Sequence, residues 1–223
     1  TPIDYLRNGA GIDRTGLTIS NGQGSAVISL AGLQTVQDLI NAVDRADLGV
    51  RVSISDDGRS LLLTNLLSGS ALKVVEAGGA TAAQLGWRTF HSATSLDSLN
   101  DGLGVGRAGA GLADFRITQR DGTTIDVSLA DCRTVGEVLS AINSAPGNTG
   151  DLVASIDSAG GIRLLDGSAA GGWNLAVTSL NGSTAAADLG IAQSVAGTQI
   201  VGTDTSGATT GGMFDRLLRL SRA

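Results

Sequence analysis

Reactive side chains are scarce in this 223-residue chain, which contains one cysteine, one histidine and one lysine. Cys132 alone excludes an intrachain disulfide framework and a multi-cysteine zinc site. His91 alone excludes a histidine-rich metal site and any acid–base scheme that needs two histidines. Lys73 alone leaves no polybasic patch and no second lysine to hold a phosphate. Together these absences favour a structural or interaction protein over an enzyme.

The chain also has fewer basic than acidic side chains, and it has no long apolar run. The 15 basic and 21 acidic side chains give a formal net charge of −6, which argues against nucleic acid or an anionic membrane as partner. No apolar run approaches the ~18 residues of a membrane-spanning helix, and no secretory signal opens the chain. We therefore expect no nucleic-acid binding, no membrane insertion and, if the protein is exported, a route without a cleaved signal peptide.

Aromatic residues make up only 3% of the chain and prolines number two, whereas there are 33 glycines. The hydrophobic fraction of 42% is too high for a disordered chain. This composition predicts a β-rich protein with many tight turns and a core of small aliphatic side chains.

An internal repeat organises most of the sequence. Landmarks of the first half return in the same order in the second: LRNGAGI at 6–12 as LNDGLGV at 99–105, ISL at 28–30 as VSL at 127–129, TV at 35–36 as TV at 134–135, VSI at 52–54 as ASI at 154–156, and TAAQLG at 81–86 as TAAADLG at 184–190. The repeat predicts two tandem modules, residues 1–88 and 89–193.

Each module predicts the same series of elements: a hairpin, a helix, a second hairpin, a fifth strand and a closing helical turn. The predicted strands are 17–20, 26–30, 50–55, 60–64 and 71–76 in the first module, and 115–118, 125–129, 152–157, 162–165 and 173–180 in the second. Thr35 and Thr134 each begin a helix with a capping-box pattern. In the closing turn we expect the threonine as N-cap and the final glycine in a left-handed conformation. The predicted class is α+β, with an antiparallel sheet and one covering helix per module.

Four short patterns were weighed for chemistry, and we predict no catalytic, cofactor-binding or metal site. Gly104–Gly109 fits G-x-G-x-x-G but lacks the strand before and the helix after it, so a flexible connector is favoured. Asp56–Gly58 lacks the distal glutamate of a calcium loop and predicts a hairpin turn. His91 is interpreted as a surface residue. Cys132 precedes a helix N-terminus, which would lower a thiol pKa, but a small loop residue is favoured.

The last thirty residues differ from both modules. Residues 194–212 predict a strand followed by a linker rich in Gly, Thr and Ser. Residues 213–223 predict an amphipathic helix with Phe214, Leu217 and Leu218 on one face. We interpret this helix as the start of a longer assembly helix that buries its stripe in a coiled coil, the alternative being a helix that folds back on its own domain.

These patterns carry a resemblance to a known family. TVGEVLSAIN at Thr134–Asn143, with its preceding Ser-Leu hairpin end, resembles the hook "IN" motif of bacterial flagellar axial proteins. The first module departs from the motif at Val43–Asp44 and has its asparagine at Asn41. The tail GGMFDRLLRL is similar to the start of the C-terminal helix in hook–filament junction proteins and flagellins.

The resemblance implies a non-enzymatic structural domain that projects outward and is flanked by polymerising helices. It implies an extracellular location after type III export, no cofactor, and partners among the hook, junction and filament subunits that bind through the flanking helices. The isolated fragment is then expected to be a monomer. The filament cap protein remains an alternative within the family, and an extracellular adhesive or glycan-binding repeat is the alternative outside it.

Overall fold

Antiparallel sheets and helices are both present, and the predicted α+β class is confirmed. The structure, a computed structural model, describes residues 1–68 and 71–206, together with the backbone of residues 208–209. The described chain divides into two compact units. Unit 1 comprises residues 1–89 with 208–209, and unit 2 comprises residues 90–206. The predicted assembly helix at 213–223, with Phe214, Leu217 and Leu218, lies outside the described residues.

Unit 1 combines a four-stranded and a two-stranded antiparallel sheet with one long helix. Its elements are a 3-10 turn (Ile3–Tyr5), β1 (Leu17–Asn21), β2 (Gly24–Ile28), α1 (Val36–Arg45), β3 (Val50–Ile54), β4 (Leu61–Asn65), β5 (Ala71–Glu76), α2 (Thr81–Leu85) and, much later in the chain, β13 (Ala208–Thr209). The larger sheet has the order β13-β5-β1-β2, and β3 pairs with β4.

Unit 2 follows the same order of elements and adds a short helical element after the 3-10 turn and one further strand. Its elements are a 3-10 turn (Leu96–Ser98), a short helical element α3 (Leu99–Gly102), β6 (Phe115–Thr118), β7 (Thr124–Val127), α4 (Val135–Asn143), β8 (Leu152–Ile156), β9 (Ile162–Asp166), β10 (Leu175–Ser179), α5 (Ala185–Asp188), β11 (Ser194–Val195) and β12 (Gln199–Val201). Its sheets have the orders β11-β10-β6-β7 and β12-β9-β8.

Both long helices begin at a capping box, as the sequence predicted. The Thr35 hydroxyl accepts from the Asp38 amide at 3.2 Å, and the Asp38 carboxylate accepts from the Thr35 amide at 2.9 Å. Thr134 and Glu137 make the same pair of bonds at 3.3 and 2.8 Å. The Thr35 amide holds the pKa of the Asp38 carboxyl below its usual range, and the amides of Arg133 and Thr134 do the same for Glu137.

A left-handed turn opens each unit, and the sequence did not reveal it. Arg7 and Asn8 have φ of 54° and 59°, while Asn100 and Asp101 have 53° and 58°; a glycine of positive φ follows each pair. Two successive non-glycine residues in this region are costly for L-amino acids. In both units the second glycine of the motif donates its amide to the carbonyl of the motif's leucine at 3.0 Å. The same strained geometry therefore recurs at the matching place in the repeat.

The predicted capping of the closing helix is wrong in unit 1. Thr81 is the first helical residue rather than the N-cap. The cap comes from Glu76, whose carboxylate accepts the amides of Ala82 and Ala83 at 2.9 and 2.8 Å. A buried carboxylate suits this place because a helix N-terminus presents unpaired N–H groups. The left-handed terminating glycine is confirmed, since Gly86 has φ of 72°.

In unit 2 the closing helix is capped by a different residue again. Thr184 stands at the N-cap position but makes no capping bond to the helix backbone. The Ser183 hydroxyl accepts from the Ala185 amide at 3.1 Å instead. Gly190 is left-handed with φ of 71°, as predicted.

The segment that follows the predicted boundary at 193 pairs with the sheets of unit 2. Residues 194–206, interpreted as a separate strand and the start of a linker, belong to unit 2. The reason is backbone pairing: β11 extends the sheet at β10, and β12 extends the other sheet at β9. Further on, the Thr205 carbonyl accepts from the Asn100 amide at 2.9 Å, which fastens the end of this segment to the opening turn of unit 2.

Candidate functional site

The short motifs that could have formed a catalytic or ligand-binding site lie in turns and connections of the fold. Gly104–Gly109 forms an irregular connection, as predicted, and a side chain at Gly106 would collide with Thr184. Asp56–Gly58 forms the turn between β3 and β4, where the Asp57 carboxylate accepts the Arg59 amide at 3.0 Å. His91 is exposed, as predicted, and its Nδ1 accepts the Ala93 amide at 3.2 Å. All of these contacts are those of turns and connections.

Cys132 lies in the loop before α4, as predicted, but its side chain is part of the core of unit 2. Burial raises the pKa of the thiol, so the lowered pKa considered from the nearby helix N-terminus is wrong. A buried thiol with a raised pKa is poorly suited to act as a nucleophile.

The described ranges 1–68, 71–206 and 208–209 contain neither a candidate metal cluster nor a candidate membrane span. No group of three or more His, Cys, Asp or Glu side chains there is arranged to hold a metal ion. Over the same ranges, no helix has the length and apolar character needed to span a bilayer.

A groove of about 450 Å³ lies in unit 1. It lies between the opening turn, α1, the β3–β4 hairpin and α2. Its apolar lining includes Leu6, Ile12, Ile40, Ile54, Leu61 and Leu85. Arg7 and Arg59 also line it, whereas none of the described lining residues is a His, Cys, Asp or Glu. Such a lining suits the binding of a chain or side chain.

Unit 2 fills the equivalent space with its own residues 202–206. The Gly202 amide donates to the Ile162 carbonyl at 2.8 Å, and the Thr203 amide donates to the Gly190 carbonyl at 3.2 Å. Ile162 and Gly190 occupy the same positions in unit 2 as Leu61 and Gly86 do in unit 1, where both line the groove. Among the described residues, the groove of unit 1 is therefore the unfilled counterpart of a site that unit 2 closes with its residues 202–206.

Trp87 explains part of this difference between the two units. Its indole Nε1 donates to the Leu61 carbonyl at 2.7 Å, and the side chain is only 7% exposed. The equivalent of Leu61 in unit 2 is Ile162, whose carbonyl accepts the Gly202 amide instead. The tryptophan side chain thus satisfies in unit 1 a carbonyl that a backbone amide satisfies in unit 2.

The variable position of the T-A-A-x-L-G repeat has a role that sequence reasoning missed. The Gln84 side chain accepts the Asp13 amide at 2.6 Å, and the Asp188 carboxylate accepts the Gly106 amide at 2.8 Å. In each unit the side chain ties the closing helix to the segment that follows the opening turn. Gln84 and Asp188 are both polar and offer an oxygen acceptor. The sequence did not reveal these hydrogen bonds because the two partners are 71 and 82 residues apart in the chain.

No family model, curated protein or solved structure matches the chain. The two units of the chain correspond to one another, and unit 1 differs from unit 2 at the groove, whose counterpart unit 2 fills with residues 202–206.

Proposed function

We propose that this chain is a non-enzymatic structural domain of a bacterial flagellar axial protein, positioned at the hook–filament junction. The observation that carries the proposal is the double occurrence of one architecture whose motif residues all serve the fold. Thr134 and Glu137 cap a helix, and Asn143 binds the backbone of β8. A family motif with architectural roles suits a protein that supplies bulk and shape.

The course of the chain supports an inserted, projecting domain. Residues 1–89 and 208–209 belong to the same unit, with the whole of unit 2 between them in sequence. Both ends of the described chain thus lie in one unit, an arrangement that would allow the domain to be inserted into a longer protein. The flanking segments would then carry the polymerising helices, with Phe214, Leu217 and Leu218 on the first turns of the C-terminal helix.

The remaining properties follow from this assignment. The partners are hook, junction and filament subunits, which bind through the flanking helices. The protein is exported by the flagellar type III route and acts outside the cell without a cofactor. The isolated chain, which lacks most of those helices, is a monomer, and a tight oligomer in sedimentation velocity would contradict this part of the proposal.

Immunogold electron microscopy tests the location directly. Antibodies raised against the chain should label intact flagella of the producing bacterium as one band where hook and filament meet. Label along the filament would overturn the junction assignment in favour of a flagellin, and label at the tip would favour the cap protein. Flagella without label, with antibody that recognises the denatured parent protein, would overturn the flagellar proposal itself.

A glycan-binding repeat is the second candidate, and one observation favours it. Trp173 in unit 2 is 63% exposed, and an exposed indole is the type of surface on which sugars stack. A glycan array on the wild-type chain and on Trp173→Ala tests this candidate. A reproducible ligand that is lost in the variant would favour it over the structural role.

A further inference from the structure

A three-residue segment, residues 203–205, fills the groove equivalent of unit 2 through its backbone. The Thr203 amide donates to the Gly190 carbonyl at 3.2 Å, and the Thr205 carbonyl accepts from the Asn100 amide at 2.9 Å. Both bonds use main-chain groups of the segment, so this mode of binding does not require threonine at either position.

Unit 1 offers the same two backbone groups without a described occupant. Arg7 and Gly86 hold the positions of Asn100 and Gly190 in the repeat. Over residues 1–68, 71–206 and 208–209, neither the Arg7 amide nor the Gly86 carbonyl has a hydrogen-bond partner. A Cβ atom at Gly86 would meet no described atom within 4 Å, whereas one at Gly190 would lie 2.6 Å from the Thr203 carbonyl oxygen. A donor and an acceptor are therefore available at the matching places of the groove.

The central residue of the filling segment contributes a carboxylate. Asp204 lies against Gly160, since a Cβ atom at that glycine would come within 2.6 Å of the Asp204 Oδ2. The matching glycine of unit 1 is Gly58, because both glycine amides donate to the carbonyl three residues earlier in the hairpin turn. Gly58 lines the groove and is followed by Arg59. A carboxylate placed in unit 1 as Asp204 is placed in unit 2 would therefore lie beside Arg59.

The charge of the groove also favours an acidic occupant. Arg7 and Arg59 line it, and none of the described lining residues is acidic. Among the described residues, neither guanidinium has a hydrogen-bond or ion-pair partner. The Asp57 carboxylate remains within its own turn, where it accepts from the Ser55 hydroxyl at 2.5 Å and from the Arg59 amide at 3.0 Å. Two available guanidinium groups on one groove are complementary to a carboxylate.

We propose that the groove of unit 1 binds a short segment of a partner protein, in which an acidic residue is followed by an apolar β-branched residue. The residue before the acid donates its amide to the Gly86 carbonyl, the acid pairs with Arg59, and the residue after it accepts from the Arg7 amide. An apolar third residue suits the site because aliphatic side chains line the groove. In unit 2 the Thr205 hydroxyl is likewise buried without a hydrogen-bond partner among the described residues.

Two features of the chain favour a partner protein and a segment of this length. The Trp87 indole already occupies the Leu61 carbonyl, so pairing begins at the Gly86 carbonyl. Residues 213–223 contain three arginines and one aspartate, a charge that matches the two arginines of the groove poorly. The proposal does not depend on the flagellar assignment.

An NMR titration of the full 223-residue chain with the peptide acetyl-Thr-Asp-Val-Ser-amide tests this proposal. The Arg7 amide should exchange freely with solvent in the free chain, and its exchange should slow about tenfold or more when the peptide is bound. The Trp87 amide should shift as well, because it shares a peptide group with the Gly86 carbonyl. The Asn100 amide, which is already bonded, is the internal reference and should not change.

Matched peptides and variants test the role of each group. A peptide with asparagine in place of the aspartate should bind the wild-type chain about threefold more weakly. Arg59→Gln should remove this difference, whereas Arg51→Gln should retain it, because Arg51 is exposed on β3 and does not line the groove. A peptide N-methylated at its threonine lacks the donor to the Gly86 carbonyl and should bind about fivefold more weakly or worse.

Three results would overturn the proposal. The first is an Arg7 amide that neither shifts nor gains protection at millimolar peptide. The second is a preference for aspartate over asparagine that persists in Arg59→Gln. The third is an Arg7 amide that exchanges as slowly as that of Asn100 in the free chain, which would assign the groove to another segment of this chain or to a second copy.

Discussion

Unit 2 closes both edges of its small sheet, whereas in the described residues of unit 1 no third strand pairs with β3 or β4. On one side of unit 2, Asn143 donates to the Ala154 carbonyl at 3.0 Å and accepts the Ala154 amide at 2.7 Å. On the other side, β12 pairs with β9. The equivalent of Asn143 in unit 1 is Asp44, which is exposed. The residues that the two units share thus form the common fold. The residues that differ determine which groups contact the edges of the small sheet.

The difference has an energetic consequence. Ile162, Leu164 and Ile200 are fully buried in unit 2, whereas Leu61 and Leu63 of unit 1 remain partly exposed. Complete burial of one aliphatic side chain contributes roughly 1.5–3 kcal/mol relative to full exposure. Among the described residues, unit 2 therefore holds the larger share of hydrophobic stabilisation, and we expect it to unfold at the higher denaturant concentration.

The largest predicted effect breaks the closed edge of unit 2. Ile200→Ala should destabilise unit 2 by about 3 kcal/mol, because it removes a fully buried side chain and leaves a cavity. The measurement is urea unfolding followed by resolved NMR signals of each unit. Val201→Ala is the control, since Val201 is 40% exposed on the same strand and its loss should cost little. Equal losses for the two variants would contradict the role assigned to β12.

The second prediction concerns the other edge. Asn143→Ala should cost unit 2 about 1–2 kcal/mol, because both polar groups of Ala154 lose their partner. Asp44→Asn places the motif residue in unit 1 and should not destabilise that unit. The same NMR-resolved unfolding curves report both results. A neutral Asn143→Ala variant would show that water satisfies Ala154 equally well.

The capping boxes should make equal contributions in the two units. Thr35→Ala and Thr134→Ala should each lower the stability of their own unit by about 1 kcal/mol, because each removes the hydroxyl that accepts a helix N–H. Serine at either position retains the hydroxyl and serves as the matched control. A loss confined to one unit would show that the two boxes are not equivalent.

The smallest effect is a difference in pH dependence. Burial alone would raise the pKa of Asp166, but hydrogen bonds from Ser168 and Arg120 hold it below its usual value. The folded pKa lies below the unfolded value of about 3.9, so this stabilisation is present above that pH and is lost as the pH falls through the folded pKa.

Asn65, which does not titrate, holds the equivalent place in unit 1. The difference in unit 2 stability between the wild type and Asp166→Asn should therefore shrink below about pH 4. Unfolding curves recorded across this range should show no such change in unit 1. A difference that stays constant with pH would contradict the lowered pKa.

The sequence alone predicted the order of elements well, because each depends on local signals. Apolar residues of α1 recur at helical spacing behind a capping threonine, and strands alternate around glycine-rich turns. Observed strand ends differ from the predicted ones by one or two residues at most places. Ala71–Glu76 was predicted with the observed bounds.

The features that sequence reasoning missed depend on long-range contacts. Glu76 caps α2 from a strand, and β11 and β12 join sheets built from earlier residues. The groove of unit 1 becomes visible only when residues 202–206 are seen to fill its counterpart. Residue type did give one signal, since Trp87 stands where unit 2 has Ile191. The sequence did not reveal that the Trp87 indole donates a hydrogen bond to the Leu61 carbonyl.

A crystal structure of the whole chain is the most direct test that one architecture occurs twice. The account predicts that residues 17–86 and 115–190 superpose with the same strand order, and that the left-handed pairs Arg7–Asn8 and Asn100–Asp101 precede them in both units. Coordinates in which the two stretches follow different strand orders, or in which only one left-handed pair forms, would contradict it.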